Sequence, residues 1–217
     1  MIINLSNLGK RYNRDWIFRN LSFQFNSTKH YAITGPNGSG KSTLLQIISG
    51  STTHNEGAIS YNDSNAITTE NIFKKISFAA PYLDLIEEMT LVEFFTFHQQ
   101  MKGWISGATT KEIISLITLE KSSHKQIRYF SSGMKQRVKL AQAIFSNVPA
   151  VLLDEPLTNL DDEGIFLYHV LIHKYCADRM VIVSSNNKDE YSFCKEQINM
   201  LDFKSLNSGV PCSIVSS

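Results

Sequence analysis

The stretch Gly35-Pro36-Asn37-Gly38-Ser39-Gly40-Lys41-Ser42-Thr43 constrains this chain more than any other. It fits the pattern G-x-x-x-x-G-K-[ST] and adds glycines to it. Small residues let consecutive backbone N–H groups curl round phosphate oxygens, and a helix starting at Lys41 aims the positive end of its dipole at them. In that arrangement the Lys41 ammonium reaches the β- and γ-phosphates and the Ser42 hydroxyl reaches Mg²⁺. An ordinary glycine turn between strand and helix has the same composition, so the flanks decide. Residues 31–34 read as a strand leading into the loop. Leu44, Leu45, Ile47 and Ile48 make residues 41–49 a buried helix closed by Gly50. The sequence therefore implies a bound nucleoside triphosphate.

Further strands are read at residues 2–5, 16–18, 21–25, 59–61 and 76–80, the last ended by Pro81. The middle changes character. Thr90-x-x-Glu93 and Thr109-x-x-Glu112 are capping boxes. Phe94, Phe95 and Phe97 give the first segment an oily face, and Ile113, Ile114, Leu116 and Ile117 do so for the second. Residues 82–145 are expected to be a helical subdomain, with a last helix from near Ser131 carrying Val138, Leu140, Ala141 and Ile144 inward. Residues 1–81 and 146–204 form the rest. After residue 146, strands at 150–154, 180–185 and 198–201 alternate with helices at 163–175 and 188–194, which implies a parallel sheet covered on both faces. The fold class is α/β: a mostly parallel core, an antiparallel β part at the N-terminus and an all-α insert. The tail from Ser205 is polar and expected to be loosely held.

The apolar run Ala150-Val151-Leu152-Leu153 ends in Asp154 and Glu155, with Pro156 next. A strand of this kind delivers its last residues to the carboxyl edge of the sheet, where ligands of open α/β sheets bind. Asp154 suits Mg²⁺, which keeps several of its waters. Glu155 suits the orientation or deprotonation of an attacking water. Two acids after a strand are more often a solvated loop, and the phosphate loop upstream reverses that preference.

At Phe130-Ser131-Ser132-Gly133-Met134-Lys135-Gln136-Arg137 the sequence resembles the signature motif, commonly LSGGQ, of ATP-binding-cassette ATPases. The resemblance covers essentially the whole chain, with the motifs in family order. Thr158-Asn159-Leu160-Asp161 is similar to the loop that lies across the dimer interface, and Tyr12 is similar to the aromatic that stacks on adenine. Trp16 is the alternative for that stacking. The resemblance implies ATP and Mg²⁺ as ligands, bound in a head-to-tail pair of ATP-binding subunits, alike or different. In such a pair Ser131, Ser132 and Gly133 of one copy meet the γ-phosphate held by the other. An isolated helix start of this composition would be a plain cap.

Three positions depart from the family pattern. Pro81 stands where Gln ends the strand at 76–80, and it has neither a side-chain donor nor an N–H. Asn186 stands at the switch histidine; its amide can donate to a phosphate oxygen but cannot carry a proton. Ser132 and Met134 are mild variants of the signature. Slow hydrolysis, carried by Glu155 with Asn186 as a positioning group, is the expectation.

The remaining composition bounds the class. In 217 residues, 42% hydrophobic and 19% charged content fit a globular chain. With 21 Lys+Arg against 20 Asp+Glu, a net charge of +1 gives no nucleic-acid footprint. No run approaches the roughly 18 apolar residues of a membrane span, and the opening MIINLSNLGKRY does not read as a signal peptide. Cys176, Cys194 and Cys212 read as reduced thiols of a cytosolic protein. The leading reading is the ATPase subunit of a compact bacterial-type transporter, cytoplasmic and held at the inner face of the cell membrane by separate integral membrane subunits. A hydrolysis-poor binding module and a soluble non-transport ATPase are the alternatives.

Overall fold

The computed structural model of the chain describes residues 1–63, 67 and 70–204; the tail from Ser205, with Cys212, lies outside them. Strands β1 (Ile2–Tyr12), β2 (Asp15–Asn26) and β4 (Glu56–Asn62) form an antiparallel sheet in the order β2-β1-β4. Strands β3 (His30–Thr34), β5 (Ile76–Ala79), β6 (Ala150–Asp154), β7 (Met180–Ser184) and β8 (Glu196–Asn199) form a second sheet, β5-β6-β7-β3-β8. Every pairing in the second sheet is parallel.

The second sheet has a core on each face, which is why β6 and β7 are buried at every position. Ala150, Leu152, Met180, Ile182, Tyr31 and Ile33 point to one side, into a core shared with the antiparallel sheet and with α1 (Lys41–Ile48). Val151, Leu153, Val181, Val183 and Ala32 point to the other. There they meet α2 (Leu91–Lys102), α3 (Thr110–Leu116), α4 (Ser132–Phe145) and α5 (Asp162–Tyr175). Each such aliphatic side chain gains roughly 1.5–3 kcal/mol from full burial. The helical insert thus shares its core with the parallel sheet. Both capping boxes are formed, Thr90 accepting from the Glu93 N–H and Thr109 from the Glu112 N–H.

Four expectations are adjusted. The segments 16–18 and 21–25 are one strand, β2, which accommodates Asn20 at φ 56 where its register against β1 shifts. Asparagine tolerates that left-handed conformation better than most residues. The helix expected at 188–194 is a single turn, α6 (Lys188–Tyr191). The last strand ends at Asn199, whose side chain accepts the Leu201 N–H and starts a helical turn. Phe97 is 40% exposed, whereas Phe94 and Phe95 are buried. Cys176 and Cys194 are buried and free, and burial raises both thiols, Cys194 to about 12. Among the described residues no helix is long and apolar enough to cross a membrane.

Candidate functional site

The loop between β3 and α1 wraps a lysine. Lys41 is 5% exposed, and its Nζ donates to the carbonyls of Gly35 (2.7 Å) and Pro36 (3.3 Å). Burial lowers its pKa, while the charges of Glu155 and Asp154 oppose that shift. The ammonium is therefore held at the mouth of α1 beside two carboxylates. The Ser39 N–H turns back onto the Pro36 carbonyl at 3.1 Å, closing the loop. Gly40 has φ 98, and a Cβ there would lie 2.5 Å from Ile17 Cγ2 on β2. That contact joins the loop to the antiparallel sheet. A cleft of about 280 Å³ opens here, lined by Ile17, Asn37, Gly38, Gly40, Lys41, Ser42, Thr43 and Glu155.

Strand β6 brings Asp154 to the same end of the sheet. Its side chain is 1% exposed; Oδ2 accepts from the Tyr82 hydroxyl at 3.1 Å, and Oδ1 has no partner among the described residues. A buried carboxylate oxygen without a donor is costly unless a cation or water completes it. The Asp154 carboxylate and the Ser42 hydroxyl at the start of α1 are oxygen ligands of the kind that fit Mg²⁺, which retains waters for its other positions. Glu155 is exposed, reaches the cleft and sits at φ 44, anchored by its N–H on the Ser184 carbonyl at 2.9 Å. A left-handed non-glycine costs about 1–2 kcal/mol, and here it turns the acid away from the sheet toward the loop.

Asn186, after β7, donates its Nδ2 to Asn37 Oδ1 at 3.1 Å, so the switch position touches the phosphate loop. Glu190 on α6 is buried; its Oε1 accepts the Leu157 N–H at 2.9 Å, and Tyr168 donates to its carbonyl. Burial raises its carboxyl pKa, opposed by the hydrogen bond from the Leu157 N–H. Glu190 thereby fixes the loop that follows the two acids.

The signature segment stands apart from this cleft. Ser131 caps α4, accepting from the Met134 N–H, and both Ser131 and Ser132 are exposed. A Cβ on Gly133 would lie 2.9 Å from the Asn159 carbonyl, so the helix start and the loop at 158–161 are pressed together. Three polar residues then tie α4 to the core. Gln136 donates to the Pro156 carbonyl (2.8 Å), Arg137 to Asp161 (2.8 Å), and Lys139 to the carbonyls of Pro81 (2.7 Å) and Ala80 (3.4 Å). Residues 131–133 do not line the chain's own cleft.

Tyr12, at the end of β1, is 48% exposed under the Lys10 ammonium and is not among the lining residues. The Trp16 ring carries the guanidinium groups of Arg11 at 5.4 Å and Arg19 at 4.2 Å. The structure thus gathers residues 35–43, Asp154, Glu155 and Asn186, while Tyr12 and residues 131–133 are not among the residues lining the cleft. Tyr82 and Glu190 join the site without a local sequence signal.

The family described as ABC transporter matches residues 18–158. The sequence is 32% identical over 207 residues to the uncharacterized ABC transporter ATP-binding protein YybJ of Bacillus subtilis, covering 92% of each chain. It is 33% identical over 152 residues to the cytochrome c biogenesis ATP-binding export protein CcmA of Xylella fastidiosa, covering 70% of this chain and 68% of that one. Among solved structures, the dimeric ATP-binding cassette MJ0796 bound to ADP and Pi superposes with a TM-score of 0.76 at 24% identity, over 91% of this chain and 93% of that one.

Proposed function

This chain belongs to the ABC transporter family as an ATP-binding ATPase subunit, and on that premise we propose that it hydrolyses Mg-ATP in a head-to-tail pair to drive separate integral membrane subunits. The observation that carries this reading is the split of the site. Lys41 and Glu155 line one cleft, with the Asp154 charge acting on Lys41, while the helix start at Ser131–Gly133, where both serines are exposed, is not part of its lining and is available to a second subunit's triphosphate. The partner is another ABC ATP-binding subunit, the same chain or a different one.

Within the cleft the backbone of residues 35–43 and the Lys41 ammonium would bind the β- and γ-phosphates. Ser42 and Asp154 would hold Mg²⁺, which supplies charge neutralisation between those phosphates. Glu155 orients the attacking water and takes its proton; Asn186, already on Asn37, positions a γ-phosphate oxygen by its amide. Exposed apolar side chains at Tyr82, Leu83, Ile86, Phe97 and Met101 give the segment 82–101 a surface for a membrane subunit. The chain then sits at the cytoplasmic face of the membrane through that partner.

Glu155→Gln tests this. It should lower steady-state phosphate release about 100-fold or more and convert the protein to a dimer on gel filtration with Mg-ATP. Unchanged turnover would remove Glu155 from the chemistry. A second reading, a cassette that binds ATP and pairs with little hydrolysis, draws on Asn186 and Pro81 at positions where the family has side chains that sense the phosphate. Undetectable phosphate release from the wild-type chain reconstituted with its membrane partner would favour it.

A further inference from the structure

Pro81 offers no side-chain donor, yet the loop it occupies still reaches the metal carboxylate, one residue later. We propose that Tyr82 is a positioning residue for Asp154, fixing one carboxylate oxygen so that the other is presented to the cation. This rests on the reading of Asp154 as a Mg²⁺ ligand given above. Tyr82 donates to Asp154 Oδ2 at 3.1 Å across 72 residues of sequence, and Oδ1 is the buried oxygen left without a partner among the described residues. A carboxylate at the end of a strand can rotate about its terminal bond. A hydroxyl bonded to one oxygen removes that freedom and sets the direction of the second.

The anchor is itself held from two sides. The Tyr82 ring meets Phe78 of β5 edge-on, with centroids 6.4 Å apart. The backbone preceding it is gripped by α4, through the Lys139 ammonium on the Ala80 and Pro81 carbonyls. Tyr82 is also 47% exposed, next to the exposed Leu83 and near Ile86 in sequence. The loop at 80–82 therefore joins an exposed surface, α4 and the Asp154 carboxylate. A displacement of the loop by a docked partner would move the hydroxyl and alter the cation site directly.

The experiment measures Mn²⁺ binding by electron paramagnetic resonance on the purified full chain with a non-hydrolysable ATP analogue, for wild type, Tyr82→Phe and Asp154→Asn. Tyr82→Phe keeps the ring and removes the hydroxyl. It should weaken Mn²⁺ binding about tenfold or more, the usual cost of losing a group that orients a metal ligand. Nucleotide affinity in chelator should stay at the wild-type value. Mn²⁺ affinity unchanged in Tyr82→Phe but reduced in Asp154→Asn would overturn the role of Tyr82 and leave the metal assignment standing. Unchanged affinity in both would overturn the metal assignment and the proposal with it. Loss of metal-free nucleotide binding in Tyr82→Phe would mark a general structural role and also overturn it.

Discussion

Gly40 shows how little room a single residue has at the phosphate loop. Its φ of 98 is a conformation that a side chain pays about 1–2 kcal/mol to adopt, and a Cβ would press on Ile17 at 2.5 Å. Gly40→Ala should displace the loop from the antiparallel sheet and abolish the ATP-induced rise in melting temperature; a normal rise would show that the loop tolerates the shift. Asn186 is the opposite case, a side chain with room to gain. It already touches Asn37 but cannot exchange a proton at neutral pH. Asn186→His should raise turnover about tenfold or more, measured as steady-state phosphate release, and no rise would locate the limitation elsewhere. The convergence of residues 35–43 with Asp154 and Glu155 was legible in the sequence because each group is local: consecutive residues, one turn, one strand end. Tyr82 was not. Its partner lies 72 residues away, and only the pairing of β5 with β6 brings the two ends together. Next to an uninformative Pro81, an exposed-looking tyrosine carries no mark of that contact.

Elements followed the same division. Both capping boxes could be read because cap and acceptor are three residues apart, and the structure forms both. Thr109→Ala should cost about 1 kcal/mol in urea unfolding. The union of two short strands into β2 depends on pairing with β1, which no periodicity records. The seam between α2 and α4 is equally hidden. His98 on α2 contacts Ser146 Oγ at 2.7 Å and Gln142 Nε2 at 3.2 Å. Because Ser146 donates its own proton to the Gln142 carbonyl, Nε2–H is the donor to Ser146, and Nδ1 accepts from the Gln142 amide. Protonation would set two donors face to face. Burial, helped by the Lys102 charge, lowers the His98 pKa from 6.5 to about 4. The unfolded chain takes up the proton near pH 6.5 and the folded chain resists until about 4. The stabilisation is therefore complete above the upper limit and is lost as pH falls through that window, by up to about 1.4 kcal/mol per pH unit. Between pH 7 and pH 5 the wild type should lose about 2 kcal/mol more than His98→Gln in urea unfolding. Parallel losses would place the pH sensitivity elsewhere.

At the scale of the molecule, one parallel sheet carries two cores, and the helical insert belongs to one of them. Gln136, Arg137 and Lys139 bind α4 to the loops that follow β5 and β6. The signature tip therefore moves with the loops around the cleft. Yet that tip is exposed and lies outside the cleft its own chain forms. A head-to-tail pair resolves this geometry, since each site would take its cradle from one copy and its helix tip from the other. Two damaged proteins should then repair each other. Lys41→Ala removes the cradle's cation, and Ser132→Arg puts bulk on the exposed tip while sparing the Ser131 cap. Either variant alone has no complete site and should be inactive. In an equal mixture, half of randomly formed pairs are mixed, and each mixed pair has one intact site composed of the undamaged cradle and the undamaged tip. Phosphate release should recover to roughly a quarter of the wild-type rate if the two sites act independently. Recovery requires that the cradle and the tip of one site come from different copies, because a site built within a single chain could never be rescued by mixing. A mixture as inactive as its parts would reject pairing between like copies in this arrangement.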